Sequence, residues 1–117
     1  MPSDPTAQAL VEIRDNVLLA QSFTAGMSQD AFTADVRTFY AVTRCLEIIS
    51  EAARRLPPDL RERYPDQPWR AIMGAGNVYR HNYDNVAEVF VWRTVQHSLE
   101  PLQEVVETEL ARLSEGK

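Results

Sequence analysis

Apolar residues return every three or four positions through nearly all of this 117-residue chain, and that period restricts it to an all-α fold. No stretch alternates apolar and polar residues in the way a half-buried strand does, and there is no internal repeat. Long amphipathic helices joined by short connections favour an up-and-down bundle. We predict four to five helices in a single domain that spans residues 1–117.

Capping residues and helix breakers divide the first half of the chain into two helices. Asp4 and Pro5 are an N-cap followed by proline at the first helical position, and Gly26 ends the helix that they begin. Ser28 opens a second, long helix that must end at Pro57. Its apolar stripe is Phe32, Val36, Phe39, Thr43, Leu46, Ile49, Ala53 and Leu56.

The second half begins with a connector at residues 57–68, which holds four prolines and a short turn around Leu60. Trp69 then opens a shorter helix that runs toward Arg80. A last long helix follows, and Pro101 should kink it or split it after about residue 99. The stripe of this last helix is Val89, Trp92, Val95, Leu99, Leu102, Val106, Leu110 and Leu113. We expect most aromatic side chains to lie in the core or at a homodimer interface.

Composition excludes several classes of protein. The formal net charge of −5 argues against a protein that coats nucleic acid by bulk electrostatics. One cysteine, Cys45, and two histidines make a structural zinc site and an intrachain disulfide poor expectations. No apolar run is long enough for a membrane span, and no signal peptide is visible. We therefore expect a cytoplasmic protein with no cofactor and no membrane partner.

The basic residues are unevenly distributed. Residues 54–81 hold six arginines, half of the 12 basic residues of the chain, against Asp59, Glu62 and Asp66. Two interpretations stand side by side. The arginines are solvated surface on a loop-rich connector, or they form an anion-facing patch beside the site described next.

Residues 76–84, Gly-Asn-Val-Tyr-Arg-His-Asn-Tyr-Asp, bring an arginine, a histidine, two tyrosines and two amides together. An imidazole exchanges protons near neutral pH, and a guanidinium holds a phosphate and stabilises a phosphorane. These groups suit metal-independent RNA cleavage. Arg80 and His81 are adjacent, so on a regular helix they point about 100° apart. They share one phosphate only if the helix ends there or a dimer completes the site. The alternative interpretation is that His81 is a capping or hydrogen-bonded structural histidine. His97 is interpreted as a surface or core residue.

The order of several segments resembles the HepT-like branch of the HEPN superfamily over about residues 8–110. The matching segments are residues 32–36 (Phe-Thr-Ala-Asp-Val), 41–53 (Ala-Val-Thr-Arg-Cys-Leu-Glu-Ile-Ile-Ser-Glu-Ala-Ala), 64–69 (Tyr-Pro-Asp-Gln-Pro-Trp), 76–84 and 91–92 (Val-Trp). The resemblance implies a helical bundle that homodimerises, with the two motifs in one cleft. It also implies a toxin that cleaves RNA and is paired with a minimal nucleotidyltransferase (MNT) antitoxin, which adenylylates a tyrosine of the toxin.

The resemblance assigns roles residue by residue. His81 matches the family's catalytic histidine, and Tyr83, two places later, matches the tyrosine that is modified. Asn77 matches a polar residue that often follows the family's arginine, but the position of that arginine is Gly76 here. Arg80 is then the candidate replacement. Glu51 matches a recurrent acidic position and either pairs with Arg80 or is an ordinary helix carboxylate.

Two functions remain open at this point. The first is a toxin of a HepT/MNT toxin–antitoxin pair, acting as a metal-independent endoribonuclease with a composite site at a homodimer cleft. The alternative is a non-catalytic dimeric binding module that partners a minimal nucleotidyltransferase or binds nucleotide. Gly76 favours the alternative, and the arginine-rich segment favours the ribonuclease. In either case we expect Tyr83 to be exposed and Tyr79 to pack.

Overall fold

The computed structural model describes residues 4–77 and 85–115, which contain seven α-helices and no strand. The helices are α1 (Pro5–Thr24), α2 (Gln29–Ala34), α3 (Val36–Arg54), α4 (Pro58–Glu62), α5 (Trp69–Gly74), α6 (Val86–His97) and α7 (Leu99–Glu115). The all-α class is confirmed. The predicted number of four to five helices is too low, because two of the long helices are divided and the connector forms a helix of its own.

The long second helix is divided at Asp35. Its backbone is extended (φ −104°, ψ 94°), and its carboxylate accepts hydrogen bonds from the Thr38 N–H at 3.1 Å and the Thr38 hydroxyl at 2.9 Å. The hydrogen bond from the Thr38 backbone is the main reason that the pKa of Asp35 lies below its ordinary value. Asp35 therefore ends α2 and caps α3. The apolar stripe does not indicate this break, because Phe32 before it and Phe39 after it are both buried and keep a helical spacing.

The other helix boundaries follow from caps and breakers. Asp4 accepts a hydrogen bond from the Thr6 N–H at 2.9 Å, and Gly26 lies after α1 with φ 78°, which confirms both predicted ends of the first helix. The predicted turn around Leu60 is α4. The last helix splits at Ser98, as expected from Pro101, whose ring clashes with the carbonyl four residues earlier.

The core lies where α3 packs between α1 and α5 and where α7 closes over α1. The bundle is elongated, with extents of 50 × 24 × 24 Å. Phe32 and Phe39 are buried as expected, but Val36 is exposed, so the stripe of the second helix overestimates the core there. Tyr40 and Phe90 are exposed, and for them a homodimer interface stays a prediction. None of the described helices is both long enough and apolar enough to cross a membrane.

Candidate functional site

The motif begins at Gly76, directly after the point where two side chains of α3 form hydrogen bonds with the end of α5. Helix α5 ends at Gly74, so its last carbonyl groups have no partner within the helix. The buried Ser50 hydroxyl of α3 donates to the Ile72 carbonyl at 2.8 Å, and Arg54 donates from Nη1 to the Met73 carbonyl at 2.6 Å. Two side chains of α3 therefore cap α5 and determine where the chain leaves it. The helix predicted to run toward Arg80 is shorter than expected.

Gly76 lies directly against the backbone of α3. A Cβ atom at this position would be 2.8 Å from the Glu47 Cα and 3.3 Å from the Ser50 Oγ. Real Cβ atoms do not approach a backbone carbon so closely, so only glycine fits without a shift of one helix. The absence of a side chain therefore allows a close backbone approach at Gly76, whereas a Cβ at Gly74 would meet nothing within 4 Å. This close approach also gives the physical reason why an arginine is incompatible with this position in this chain.

Asn77 and Asn85 flank the part of the motif that the structure does not describe. Asn77 is exposed, and its N–H donates to the Gly74 carbonyl at 3.1 Å. Asn85 adopts the left-handed conformation (φ 54°) as the residue that precedes α6. Between them, residues 78–84 lie outside the described residues. The predicted site residues Arg80, His81 and Tyr83, and also Tyr79, fall in this segment.

One exposed face of α3 adjoins the start of the motif. Glu51 is on this face, one helical turn beyond Glu47, and is exposed. Arg44 forms an ion pair with Glu47 at 3.2 Å, in which both side chains are largely in solvent. The predicted acidic residue Glu51 is therefore placed beside the motif. The two alternatives for its role, a pairing with Arg80 or an ordinary helix carboxylate, both stay open, since Arg80 lies outside the described residues.

The arginine-rich segment is used largely to hold the connector in place. Arg55 pairs with Glu12 of α1 at 2.6 Å, and Arg61 donates to the Met73 sulfur at 3.8 Å. Arg63 pairs with the buried Glu109 of α7. These contacts, with that of Arg54, favour the interpretation as a connector over that of an anion-facing patch for four of the arginines. Arg70 is exposed on α5.

Glu109 is the centre of a polar cluster that joins the connector to α7. Its side chain is only 3% exposed, and it accepts hydrogen bonds from Arg63, from the Tyr64 hydroxyl and, at 3.1 Å, from Arg112. The Trp69 indole N–H donates to the carbonyls of Arg61 and Tyr64, each at 3.0 Å. Sequence reasoning missed this cluster, since Glu109 looked like a surface carboxylate on an amphipathic helix.

The cluster shifts the acidity of both groups at its centre. Desolvation acts to raise the pKa of Glu109, but the hydrogen bonds from Tyr64 and Arg63 and the nearby positive charges outweigh it and hold the pKa below its ordinary value. Burial, together with Glu109, raises the pKa of Tyr64. The carboxylate is therefore ionised and the phenol protonated near neutral pH. The cluster is therefore suited to a structural role, because the Glu109 carboxylate is paired with the Arg63 and Arg112 guanidinium groups.

Helix α6 has an open groove of about 540 Å³ along its exposed side. Its lining residues are Val86, Val89, Phe90, Arg93, Thr94, His97 and Ser98. Val86 is 62% exposed, and Phe90 is 47% exposed. His97 is thus a surface residue. On the inner side of the same helix, Glu88 is completely buried directly after the motif, and it is a candidate site residue that sequence reasoning missed.

Within residues 4–77 and 85–115, no group of three or more histidine, cysteine, aspartate or glutamate side chains is arranged to hold a metal ion. Cys45 is buried, and burial raises the pKa of its thiol, which makes it unreactive.

The sequence of residues 13–109 matches the family model described as Ribonuclease HepT-like. This chain belongs to the HepT-like family. The match includes α3, α5, the motif and α6, so the HepT-like family assignment covers the whole candidate site. It confirms the resemblance recognised from the sequence and implies the HEPN fold for the all-α bundle.

Curated relatives of this HepT-like chain are named as ribonucleases. A Methanocaldococcus jannaschii protein named "Putative RNase MJ1216" is 32% identical over 108 residues, which cover 92% of this chain and 86% of the relative. A Thermococcus cleftensis protein named "Probable ribonuclease HepT" is 32% identical over 94 residues, which cover 80% of this chain and 86% of the relative. No solved structure matches the chain significantly.

Proposed function

We propose that this HepT-like protein is a cytoplasmic, metal-independent endoribonuclease and the toxin of a HepT/MNT toxin–antitoxin pair. The observation that carries the proposal is the family match, which includes the motif at residues 76–84. The names of the curated relatives support the ribonuclease class. The chemistry of the side chains supports a mechanism without a metal, because a histidine and an arginine supply proton transfer and charge stabilisation.

In the proposed reaction, the His81 imidazole removes the proton of an RNA 2′-hydroxyl. The 2′-oxygen then attacks the adjacent phosphorus, and the Arg80 guanidinium stabilises the negative charge of the phosphorane. The bond from phosphorus to the 5′-oxygen breaks, and the partner subunit's His81 protonates the leaving oxygen. The products are a 2′,3′-cyclic phosphate and a 5′-hydroxyl. A composite site explains how a motif with a single histidine provides both a base and an acid.

The packing of Gly76 supports the assignment of Arg80 as the cation. The family's arginine position is held by Gly76, which touches the α3 backbone and has no room for a side chain. The guanidinium must then come from elsewhere in the motif, and Arg80 is its only arginine. Asn77 and Glu51, which are both exposed at this edge of α3, have the supporting roles.

The proposed homodimer has support from the exposed side of α6. Val86 and Phe90 present apolar surface there, directly after the motif, so a second copy seated on this groove would bring two motifs together. The sequence predicts a homodimer built on the long second helix and the last helix, and α6 is the first part of that last helix. Sedimentation should show a dimer at micromolar concentration, and a monomer would contradict the composite site.

The direct test of the toxin is growth arrest upon induction of the full chain. We expect arrest with the wild type and normal growth with His81→Ala at an equal level of folded protein. Arrest that persists in His81→Ala would refute the catalytic assignment. Arg14→Ala, at a partly exposed position of α1, is the matched control and should arrest growth as the wild type does.

The alternative is a non-catalytic dimeric binding module that partners the nucleotidyltransferase or binds nucleotide. The observation that favours it is Gly76, since the usual arginine is absent. The binding module predicts a stable complex with the nucleotidyltransferase and no new RNA ends in induced cells. Mapping of 2′,3′-cyclic phosphate ends before and after induction distinguishes the two functions.

Tyr83 is the proposed site of silencing. Transfer of AMP from ATP to the Tyr83 hydroxyl by the MNT antitoxin would release pyrophosphate and place a phosphodiester beside Arg80. Intact mass of protein co-expressed with its nucleotidyltransferase should increase by one or more AMP groups. An unmodified mass, or an increase that persists in Tyr83→Phe, would contradict the assignment.

A further inference from the structure

The exposed face of α3 carries an aromatic ring between two arginines. Arg37, Tyr40 and Arg44 recur at helical spacing, so they lie along one side of the helix, and all three are exposed. Tyr40 is 58% exposed, although large aromatic side chains usually bury most of their surface. We call these three residues the α3 strip. Packing in the core and contacts with the connector do not account for an exposed tyrosine at this position of α3.

One side of the Tyr40 ring is supported by a neighbouring ring. The Tyr40 ring packs edge-on against the buried Phe39, with ring centroids 5.5 Å apart and an interplanar angle of 74°. One edge of the ring is thus supported by the core, and the rest faces solvent. A ring that is held in this way loses little conformational entropy when a flat ligand stacks on it.

The arginines of the strip are available to an anion. Arg44 is 69% exposed, and among residues 4–77 and 85–115 its guanidinium pairs only with Glu47, which is itself partly in solvent. Exposed ion pairs contribute about 0–1 kcal/mol, so a phosphate can replace the Glu47 carboxylate at little cost. Arg37 is exposed, with Asp35 as the nearby charge on the same helix end. The Asp35 carboxylate accepts two hydrogen bonds from Thr38, and the positive charge of Arg37 makes only the smallest contribution to the lowered pKa of Asp35.

The α3 strip leads to the motif. Gly76 touches α3 at Glu47 and Ser50, so the motif starts one helical turn beyond Arg44. At about 1.5 Å per residue, Tyr40 lies about 10 Å along the helix axis from that contact. A flexible chain bound on the strip would therefore reach the motif within a few nucleotides.

We propose that Arg37, Tyr40 and Arg44 form a binding surface for single-stranded RNA, with an unpaired base stacked on Tyr40 and phosphates on the two arginines. The proposal rests on the ribonuclease function proposed above and assigns part of its substrate site. An exposed aromatic ring beside cations is the combination that single-stranded nucleic acids require. An apolar partner would suit the α6 groove better, because the α3 face is charged on both sides of Tyr40.

The test is the affinity of the full chain, in a His81→Ala background that prevents cleavage, for a fluorescent single-stranded RNA of about ten nucleotides. Tyr40→Ala should weaken binding about tenfold, and Tyr40→Phe, which keeps the ring, should stay within about twofold. The double variant Arg37→Ala/Arg44→Ala should weaken binding and reduce the slope of log affinity against log salt by about 1.4. Arg14→Ala on α1 is the matched control and should bind as the parent does.

The outcomes separate this inference from the ribonuclease itself. If the Tyr40 and arginine variants bind RNA like the parent while protein with His81 intact cleaves RNA, the α3 strip does not bind RNA. The proposed ribonuclease function is then unaffected. If the parent neither binds nor, with His81 restored, cleaves RNA, both are wrong. If Tyr40→Ala converts a dimer to a monomer in sedimentation, the face contacts a second copy, which overturns the inference.

Discussion

Two polar regions of this small bundle use arginine and tyrosine in opposite ways. Around Glu109, Arg63, Tyr64 and Arg112 converge on one buried carboxylate, and all of them are engaged by it. On the α3 strip, the same residue types point into solvent beside the start of the motif. The first region ties the connector to α7, whereas the second leaves its donors and its ring available.

The difference shows that residue type and local charge density do not identify a binding surface. The arginine-rich segment at residues 54–81 contains most of the structural arginines, while the α3 strip lies in a part of the chain with a negative balance. Burial and partners decide which arginine can meet an anion. The comparison predicts that substitutions around Glu109 affect stability alone and that substitutions near the motif affect activity.

The largest expected change in stability comes from Glu109→Ala. Removing one partner of a buried ion pair costs about 3 kcal/mol, at the lower end of the usual range because Arg63 and Arg112 can regain water. Glu107→Ala, at an exposed position of the same helix, should change the free energy of unfolding by about 0.5 kcal/mol or less. Chemical denaturation measures both. RNA cleavage by Glu109→Ala well below its melting temperature should equal that of the wild type. A loss of activity in the folded variant would show that the Glu109 cluster does more than stabilise the fold.

A somewhat smaller loss is expected from Gly76→Ala. Its Cβ would meet the α3 backbone at 2.8 Å, and relief of such overpacking costs about 1–3 kcal/mol. The shift would also displace the motif, so we expect reduced RNA cleavage in the protein that remains folded. Gly74→Ala is the matched control, since its Cβ would meet nothing within 4 Å. It should be neutral or stabilising by up to about 1 kcal/mol. Equal effects of the two substitutions would contradict the close approach.

The smallest effect is a loss of stability in acid. The folded pKa of Glu109 lies below its ordinary value of 4.5, so its contribution is fully present above that pH and is lost as the pH falls through the lower folded value. Glu109→Gln should remove this part of the acid sensitivity. Thermal melting between pH 6 and about pH 3 tests it. An identical pH dependence in the wild type and in Glu109→Gln would show that the cluster is not the cause.

Most of the fold was predictable from local signals. Asp4, Gly26 and Pro101 gave the ends or breaks of helices because their effects depend on neighbouring backbone atoms only. Asp35 was missed as a helix boundary, since Phe32 and Phe39 keep a helical spacing across the break. The exposure of Val36 was missed too, because an apolar stripe does not reveal which side of a helix has a neighbour.

The candidate site was predictable only in part. The motif was recognisable because its residue types occur together, and the close approach of Gly76 follows from the residue itself. The placement of Glu51 beside the motif, the burial of Glu88 and the cluster at Glu109 depend on contacts between helices far apart in sequence. A single sequence carries no record of such pairings.

The central claim is that this HepT-like protein cleaves RNA with Arg80 and His81 and without a metal ion. The most direct measurement is cleavage of a single-stranded RNA by purified protein in the presence of EDTA, with analysis of the ends. The account predicts 2′,3′-cyclic phosphate ends at an unchanged rate, with a loss of about 100-fold or more in His81→Ala. Activity that EDTA abolishes and a divalent ion restores, or equal activity in His81→Ala, would contradict it.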